Sequence, residues 1–184
     1  MQIQPTSIPG VNVVDTTPIG DQRGQFARWF CEEELAPIIA DRTIRQINCS
    51  RTSMVGAIRG MHFQYPPFAE MKLIRCIRGR VLDVAVDLRT DSQTFLQWHA
   101  QELSSDNLQM MVVPEGCAHG FQVMEPDSEL LYLHTAMYHK PSEGGLRYND
   151  PQLSISWPLP VTDISHRDQS HPLLADSFPG IRVT

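Results

Sequence analysis

From Thr43 to the region of Trp157, apolar and polar residues alternate in short runs with a period of two, the signature of strands with two distinct faces. The clearest run is Val81-Leu82-Asp83-Val84-Ala85-Val86-Asp87-Leu88. Leu82, Val84, Val86 and Leu88 make one apolar face there, and Asp83 and Asp87 mark the other. Runs of this kind recur at 43–50, 56–64, 71–77, 80–88, 95–103, 108–113, 119–124 and 129–136, separated by turn-rich segments such as Arg89-Thr90-Asp91-Ser92 and Glu125-Pro126-Asp127-Ser128. Earlier in the chain, Val11-Asn12-Val13-Val14 reads as a short β piece, followed by turn chemistry at Thr17-Pro18 and Gly20-Asp21. The one helix signal in the first half is Glu32-Glu33-Glu34 ahead of Leu35 and Ala36, because acidic residues favour a helix amino terminus. Pro37 keeps that helix short. The tail from Asp163 to Thr184 reads as irregular chain with one short helical turn. Eight or more short strands with few helices predict a mainly β chain folded as a double-sheet barrel or jelly roll. No internal repeat or low-complexity linker divides it, so residues 1–184 are expected to form a single domain.

Composition narrows the function. The chain has 184 residues, 41% of them hydrophobic and 20% charged, enough to bury a sizeable core. A net charge of −6 argues against nucleic-acid binding through a general basic surface, while leaving room for a local basic pocket. Cys31, Cys49, Cys76 and Cys117 are widely spaced without a CxxC pair, and three lie in or beside apolar runs, which predicts reduced, buried thiols and no disulfides. No apolar run reaches transmembrane length, so no membrane association is expected and the cytoplasm is the expected compartment.

Candidate chemistry concentrates in Ile58-Arg59-Gly60-Met61-His62-Phe63-Gln64 and the residues up to Lys72. Strict alternation puts Gly60, His62 and Gln64 on one face and Arg59, Met61 and Phe63 on the other. Pro66-Pro67 ends the strand, and an antiparallel return beginning at Lys72 is expected to bring its ammonium near His62. A base of near-neutral pKa beside a fixed cation suits proton removal next to a carbonyl: the base takes the proton and the cation holds the enolate oxygen. The same two residues also fit a core histidine and a surface lysine. In Glu129-Leu130-Leu131-Tyr132-Leu133-His134, Tyr132 shares a face with Leu130 and His134. A tyrosine among leucines is commonly a packed core residue, but a phenol facing His62 would supply the second acid–base group that inversion of a carbon centre needs.

Val113-Pro114-Glu115-Gly116-Cys117-Ala118-His119-Gly120-Phe121 turns tightly at Pro-x-Gly and delivers a histidine to a new strand. Together with the spacing from Gly56 to His62, it resembles the cupin β-barrels. Gln64 stands where metal-binding cupins carry a second histidine. His62 and His119 therefore fall short of the three protein ligands a catalytic metal usually takes, and no metal is expected.

The resemblance becomes specific when the motifs are taken together: Asp21-x-Arg23-Gly24, Gln46-Ile47-Asn48-Cys49-Ser50, Arg59-Gly60-Met61-His62-Phe63-Gln64, Lys72-Leu73-Ile74-Arg75-Cys76, Asp83-Val84-Ala85-Val86-Asp87-Leu88-Arg89, the Pro114–Phe121 segment, Tyr132, and Asn149-Asp150-Pro151 before Ile155-x-Trp157-Pro158. In this order they resemble the dTDP-4-dehydrorhamnose 3,5-epimerase family over residues 8–175. The resemblance implies a cupin-type double-stranded β-helix and an isomerase that needs no cofactor. It makes His62 the catalytic base, Asp168 the carboxylate that orients it, Lys72 the cation that steadies the enolate and Tyr132 the general acid. Arg23, Gln46, Asn48, Arg59, His119, Glu143 and Arg167 match positions that contact the nucleotide-sugar, and Tyr138 matches the aromatic that stacks on the base. A homodimer is also implied, with amino-terminal strands contributing to the partner's site.

The chain departs from the family pattern at Arg28 (glutamate expected), Ile47 (aspartate expected) and Leu133 (lysine expected), which predicts altered charge around the nucleotide; the loop before Lys72 lacks an expected glycine. The alternatives are a single-centre epimerase, an epimerase of another nucleotide 4-keto sugar, and a cupin module that binds sugar without catalysis.

Overall fold

The computed structural model describes residues 1–183, and every pairing between its strands is antiparallel. In chain order the strands are β1 (Gln2–Pro5), β2 (Asn12–Asp15), β3 (Ile19–Asp21), β4 (Gly24–Phe26), β5 (Gln46–Thr52), β6 (Ile58–Gln64), β7 (Lys72–Arg78), β8 (Arg80–Asp87), β9 (Trp98–Ser104), β10 (Met110–Val113), β11 (Cys117–Val123), β12 (Ser128–His134) and β13 (Glu143–Gly145). Two short helices, α1 (Glu32–Ile39) and α2 (His166–Gln169), complete the framework. One sheet runs β1-β2-β10-β7-β12-β5 and the other β13-β6-β11-β8-β9, while β3 and β4 form a separate hairpin. This is the double-sheet barrel expected from the alternation, and all eight predicted runs are strands with ends displaced by a few residues.

Apolar residues on both faces of each sheet are covered. Between the sheets, Ile74, Met111, Val113 and Leu130 from one meet Val81, Ala85, Phe121 and Val123 from the other. The outer face of the second sheet carries Met61, Val84, Val86 and Leu88, covered by Leu146, Leu153, Trp157 and Phe178 from the irregular carboxy-terminal third. The outer face of the first sheet carries Val14, Leu73, Met110 and Leu133, covered by Leu35 and Ile39 of α1. Burying such side chains stabilises by roughly 1.5–3 kcal/mol each, which is what holds a helix of only two turns with Pro37 inside it.

Two expectations about the chemistry-bearing strands are corrected. First, β6 and β7 are not a hairpin; they belong to opposite sheets, and the chain crosses the barrel mouth between them. Second, the faces of β6 do not alternate strictly. Its pairing with β11 shifts between His119↔His62 and Phe121↔Arg59, so three steps on β6 oppose two on β11. That bulge places Arg59 on the cavity side with His62, where a regular strand would set it opposite. The two strands also approach closely: a Cβ at Gly60, whose φ is +121°, would lie 2.6 Å from the Gly120 Cα and 2.8 Å from the His119 carbonyl oxygen.

Candidate active site

At the end of the barrel where β5, β6, β7, β11 and β12 converge, an open cavity of about 280 Å³ is lined by residues from both sheets, including Arg59, His62, Lys72, His119 and Tyr132. His62 is held from behind. Ser165 caps α2 by accepting the Asp168 backbone N–H at 3.1 Å, which fixes Asp168 in the first turn, 3% exposed. Asp168 Oδ1 lies 2.8 Å from His62 Nε2, and its Oδ2 accepts the Gly60 N–H at 3.1 Å. Burial works to raise the Asp168 pKa, but the His62 contact and the Gly60 and Ser165 hydrogen bonds outweigh it, and the carboxyl stays below its ordinary value. A carboxylate accepting from Nε2–H leaves Nδ1 as the basic nitrogen of His62. The ring of His171, 6.3 Å from that of His62, lies so close over β13 that a Cβ at Gly145 would come within 2.2 Å of it.

Two further histidine–carboxylate pairs face the same cavity. His119, paired across the ladder with His62, has Nε2 2.7 Å from Oδ1 of Asp83, a residue with no exposure. Burial drives the Asp83 pKa upward. His134 Nδ1 lies 2.9 Å from Glu70 Oε2. Lys72 reaches across the barrel mouth to donate to the His62 carbonyl oxygen at 3.1 Å and sits 3.4 Å from Glu70 Oε1. The Lys72 ammonium thus reaches His62 as expected, through its backbone carbonyl, although the strands that carry the two residues do not pair. Tyr132 packs its ring 6.1 Å from that of His119, and its hydroxyl shares a 2.9 Å hydrogen bond with Ser50. Burial pushes the Tyr132 pKa up, which keeps the phenol protonated.

The residues expected to contact a nucleotide-sugar divide by location. Asn48, Arg59, His119, Tyr138 and Glu143 line the cavity. Glu143 accepts from Arg167 Nη2 at 2.5 Å and from the Tyr138 hydroxyl at 3.1 Å, so these three form one rim. Gln46 supports it by accepting the Tyr138 N–H at 3.1 Å. Arg167 opens onto an adjoining cleft that shares Arg59 and His62 with the first. Arg23 is apart from all of these: its side chain is 90% exposed on the β3–β4 hairpin and, among the described residues, pairs only with Asp21.

Three sequence readings change here. Leu133 faces the α1 side and is 7% exposed, so the loss of a lysine at that position does not alter charge inside the cavity. Arg28 pairs with Glu34 at 2.5 Å, next to α1. Of the four thiols, Cys76 and Cys117 are buried as expected, but Cys31 is half-buried and Cys49 is exposed beside the cavity.

The family model described as dTDP-4-dehydrorhamnose 3,5-epimerase matches residues 5–176. The chain belongs to that family. It is similar to the dTDP-4-dehydrorhamnose 3,5-epimerase of Sinorhizobium fredii, with 39% identity across 100% of this chain and 96% of the other. It also resembles the dTDP-4-dehydrorhamnose 3-epimerase of Streptomyces niveus, 35% identical over 96% of this chain and 86% of that one. Among solved structures, the dTDP-6-deoxy-D-glucose-3,5-epimerase of Legionella pneumophila in complex with dTDP-4-keto-L-rhamnose superposes with a TM-score of 0.92 at 34% identity, covering 100% of this chain and 98% of that one. The fold is therefore the cupin-type barrel of this epimerase family, and the chain is an isomerase acting on a nucleotide-linked 4-keto sugar.

Several residues in or behind this cavity were not singled out as site residues from the sequence: Glu70, His134, Ser50, Asp83 and His171. Asp83 left a trace as a charge on the polar face of an alternating strand, Ser50 as part of a family motif and His134 as a neighbour of Tyr132 on its face. Gln64, which stands where a metal-binding cupin has a histidine, spends its amide on the backbone, donating to Phe68 at 2.9 Å and accepting from the His139 N–H at 2.6 Å. Ligand-capable atoms of His62, Asp168 and His171 do lie within 4.8 Å of one another, but two of the three are already hydrogen-bonded to each other.

Proposed function

We propose that this chain inverts the carbons beside the ketone of a dTDP-linked 4-keto-6-deoxyhexose, forming dTDP-4-dehydrorhamnose from its glucose-derived isomer without a cofactor. His62 Nδ1 removes the proton from the carbon next to the ketone, Asp168 holds the ring and stabilises the imidazolium, and Lys72 donates to the oxygen that becomes the enolate. Tyr132 then delivers its hydroxyl proton to the opposite face, and Ser50 orients that hydroxyl. His62 then gives its proton to water and Tyr132 regains one from water, and repeating the cycle at the second neighbouring carbon gives the double inversion. The observation that carries this reading is the convergence, in one cavity, of a carboxylate-backed histidine, a lysine and a protonated tyrosine from three different strands. Arg59 and Arg167, in the adjoining cleft, suit the diphosphate, and Tyr138 on the outer rim suits the base.

We further propose a single domain that works as a homodimer in the cytoplasm, each hairpin β3–β4 reaching the partner's site. The hairpin pairs with no other strand, it exposes Ile19 and Phe26 at 74% and 68%, and β5 offers an open sheet edge with Ile47 61% exposed. No helix among the described residues is long and apolar enough to cross a membrane.

Similarity to a 3-epimerase favours a second reading in which only one carbon is inverted. Turnover of the keto sugar in heavy water, counted by mass, separates the readings. Two solvent deuterons per product are expected; a single deuteron selects the 3-epimerase, and none overturns the proposal in favour of a binding module.

A further inference from the structure

Glu70 has no role in the scheme above, yet it lines the reaction cavity with a side chain 9% exposed. A carboxylate there is costly twice over: burial disfavours its charge, and it repels both an anionic substrate and the enolate formed from it. Its surroundings nevertheless keep it ionised. Burial acts to raise its pKa, but His134 and Lys72 together bring it below the ordinary value.

An ammonium has three N–H bonds to place. One from Lys72 goes to the His62 carbonyl oxygen at 3.1 Å and one faces Glu70 Oε1 at 3.4 Å, which leaves the third for the cavity. The other oxygen of Glu70 is fixed by His134 Nδ1 at 2.9 Å. With Nδ1–H donated to Glu70, His134 Nε2 accepts the Asn48 amide at 3.3 Å, so a continuous chain runs from Lys72 through Glu70 and His134 to β5. The remaining charged groups around Lys72 supply the competition. His62 and Arg59 face it from β6 and His119 from β11, while Asp83 on β8 attracts it electrostatically. Asp83 Oδ2 is buried with no hydrogen-bond partner among the described residues. Without Glu70, that orphan oxygen is where the Lys72 ammonium would turn, away from the substrate.

We infer that Glu70 and His134 are positioning residues: they hold the Lys72 ammonium aimed at the enolate oxygen rather than at Asp83. The inference rests on the epimerase reading above. Its test is steady-state turnover of a dTDP-linked 4-keto-6-deoxyhexose by Glu70→Gln, Glu70→Asp and His134→Gln, with melting temperatures measured alongside. Glu70→Gln preserves size and removes the charge. It should lower kcat about 10–100-fold, the scale of a misdirected catalytic group, while KM stays level or falls because a charge that repels the substrate is gone. Glu70→Asp, which restores the charge, should recover part of that kcat, and His134→Gln should cost ~3–10-fold by the same positional effect. A general structural role would instead raise KM as kcat falls and lower the melting temperature, and that pattern overturns the inference. So does a Glu70→Gln enzyme with wild-type kcat. Should Glu70→Gln not fold, wild-type kcat in both other variants overturns it equally. A wild-type protein without turnover sinks the epimerase reading itself, whereas wild-type turnover matched by Glu70→Gln sinks only this inference.

Discussion

The barrel mouth and the β3–β4 hairpin both carry residues expected to handle substrate, and they are built in opposite ways. At the mouth each histidine is pinned by a buried carboxylate, His62 by Asp168, His119 by Asp83 and His134 by Glu70. On the hairpin, among the described residues, Arg23 pairs with its neighbour Asp21 two residues away, and neither Ile19 nor Phe26 joins the apolar clusters of the barrel. Preorganised groups are what the chemical step needs, because they cost no reorganisation as charge develops. A solvated arginine on a hairpin that pairs with neither sheet can only add binding once something closes over it. The difference teaches that one chain gathers its candidate acid–base groups in one preorganised cavity but holds Arg23, a proposed substrate contact, outside it.

The largest effect expected at the mouth is from His62→Ala, which should lower epimerisation and solvent deuterium uptake together by up to ~10⁴-fold, because no enolate forms without the base. Tyr132→Phe should split what His62→Ala abolishes. It removes only the hydroxyl, so His62 can return the proton to the original face, and deuterium uptake should outlast inversion by about 10²–10⁴-fold, the range for one acid–base group. Wild-type exchange in the first variant, or wild-type inversion in the second, would show the base and acid to be elsewhere.

Arg23→Ala probes the other side of the comparison. It should raise KM about 10–100-fold, the range for losing a charge-assisted hydrogen bond, without changing the melting temperature. An unchanged KM would mean the hairpin serves no site in either chain. The smallest effect concerns stability. The carboxyl of Asp168 is held below its ordinary value, so the stability it contributes is present above pH ~4 and lost as pH falls through the lowered value. Asp168→Asn should therefore be less stable than wild type by about 1–3 kcal/mol at neutral pH, and the gap should close on acidification. Thermal melts of both proteins from pH 7 to pH 3 measure it, and a gap that widens with acid would contradict the assignment.

Much of the barrel was legible in the chain because a period of two survives wherever a strand is covered differently on its two faces. The β8 run shows this: Val84, Val86 and Leu88 pack outward against the carboxy-terminal third, and Asp83 points inward to His119. The same rule failed on β6, where an extra residue in the ladder moved Arg59 to the cavity side, and a bulge leaves no mark in hydrophobic periodicity. It also failed between β6 and β7, since Pro66-Pro67 announces a turn without saying whether the chain returns beside the strand it left or crosses to the other sheet. Asp168, 106 residues beyond His62, was reached through the family's motif order, because nothing local connects the two. Glu70 and His134, 64 residues apart, had neither kind of signal.

By itself, then, the sequence determined the eight central strands, their covered faces outside β6 and which acid–base side chains were on hand, since these follow from spacing and residue chemistry along the chain. Tertiary structure alone decided which carboxylate stands behind which histidine, that the Lys72 ammonium sits between the His62 carbonyl oxygen and Glu70, and that Arg23 lies outside its own chain's cavity. Those outcomes depend on strand order, ladder register and burial, which arise between segments far apart in the chain and have no counterpart in any single stretch of it.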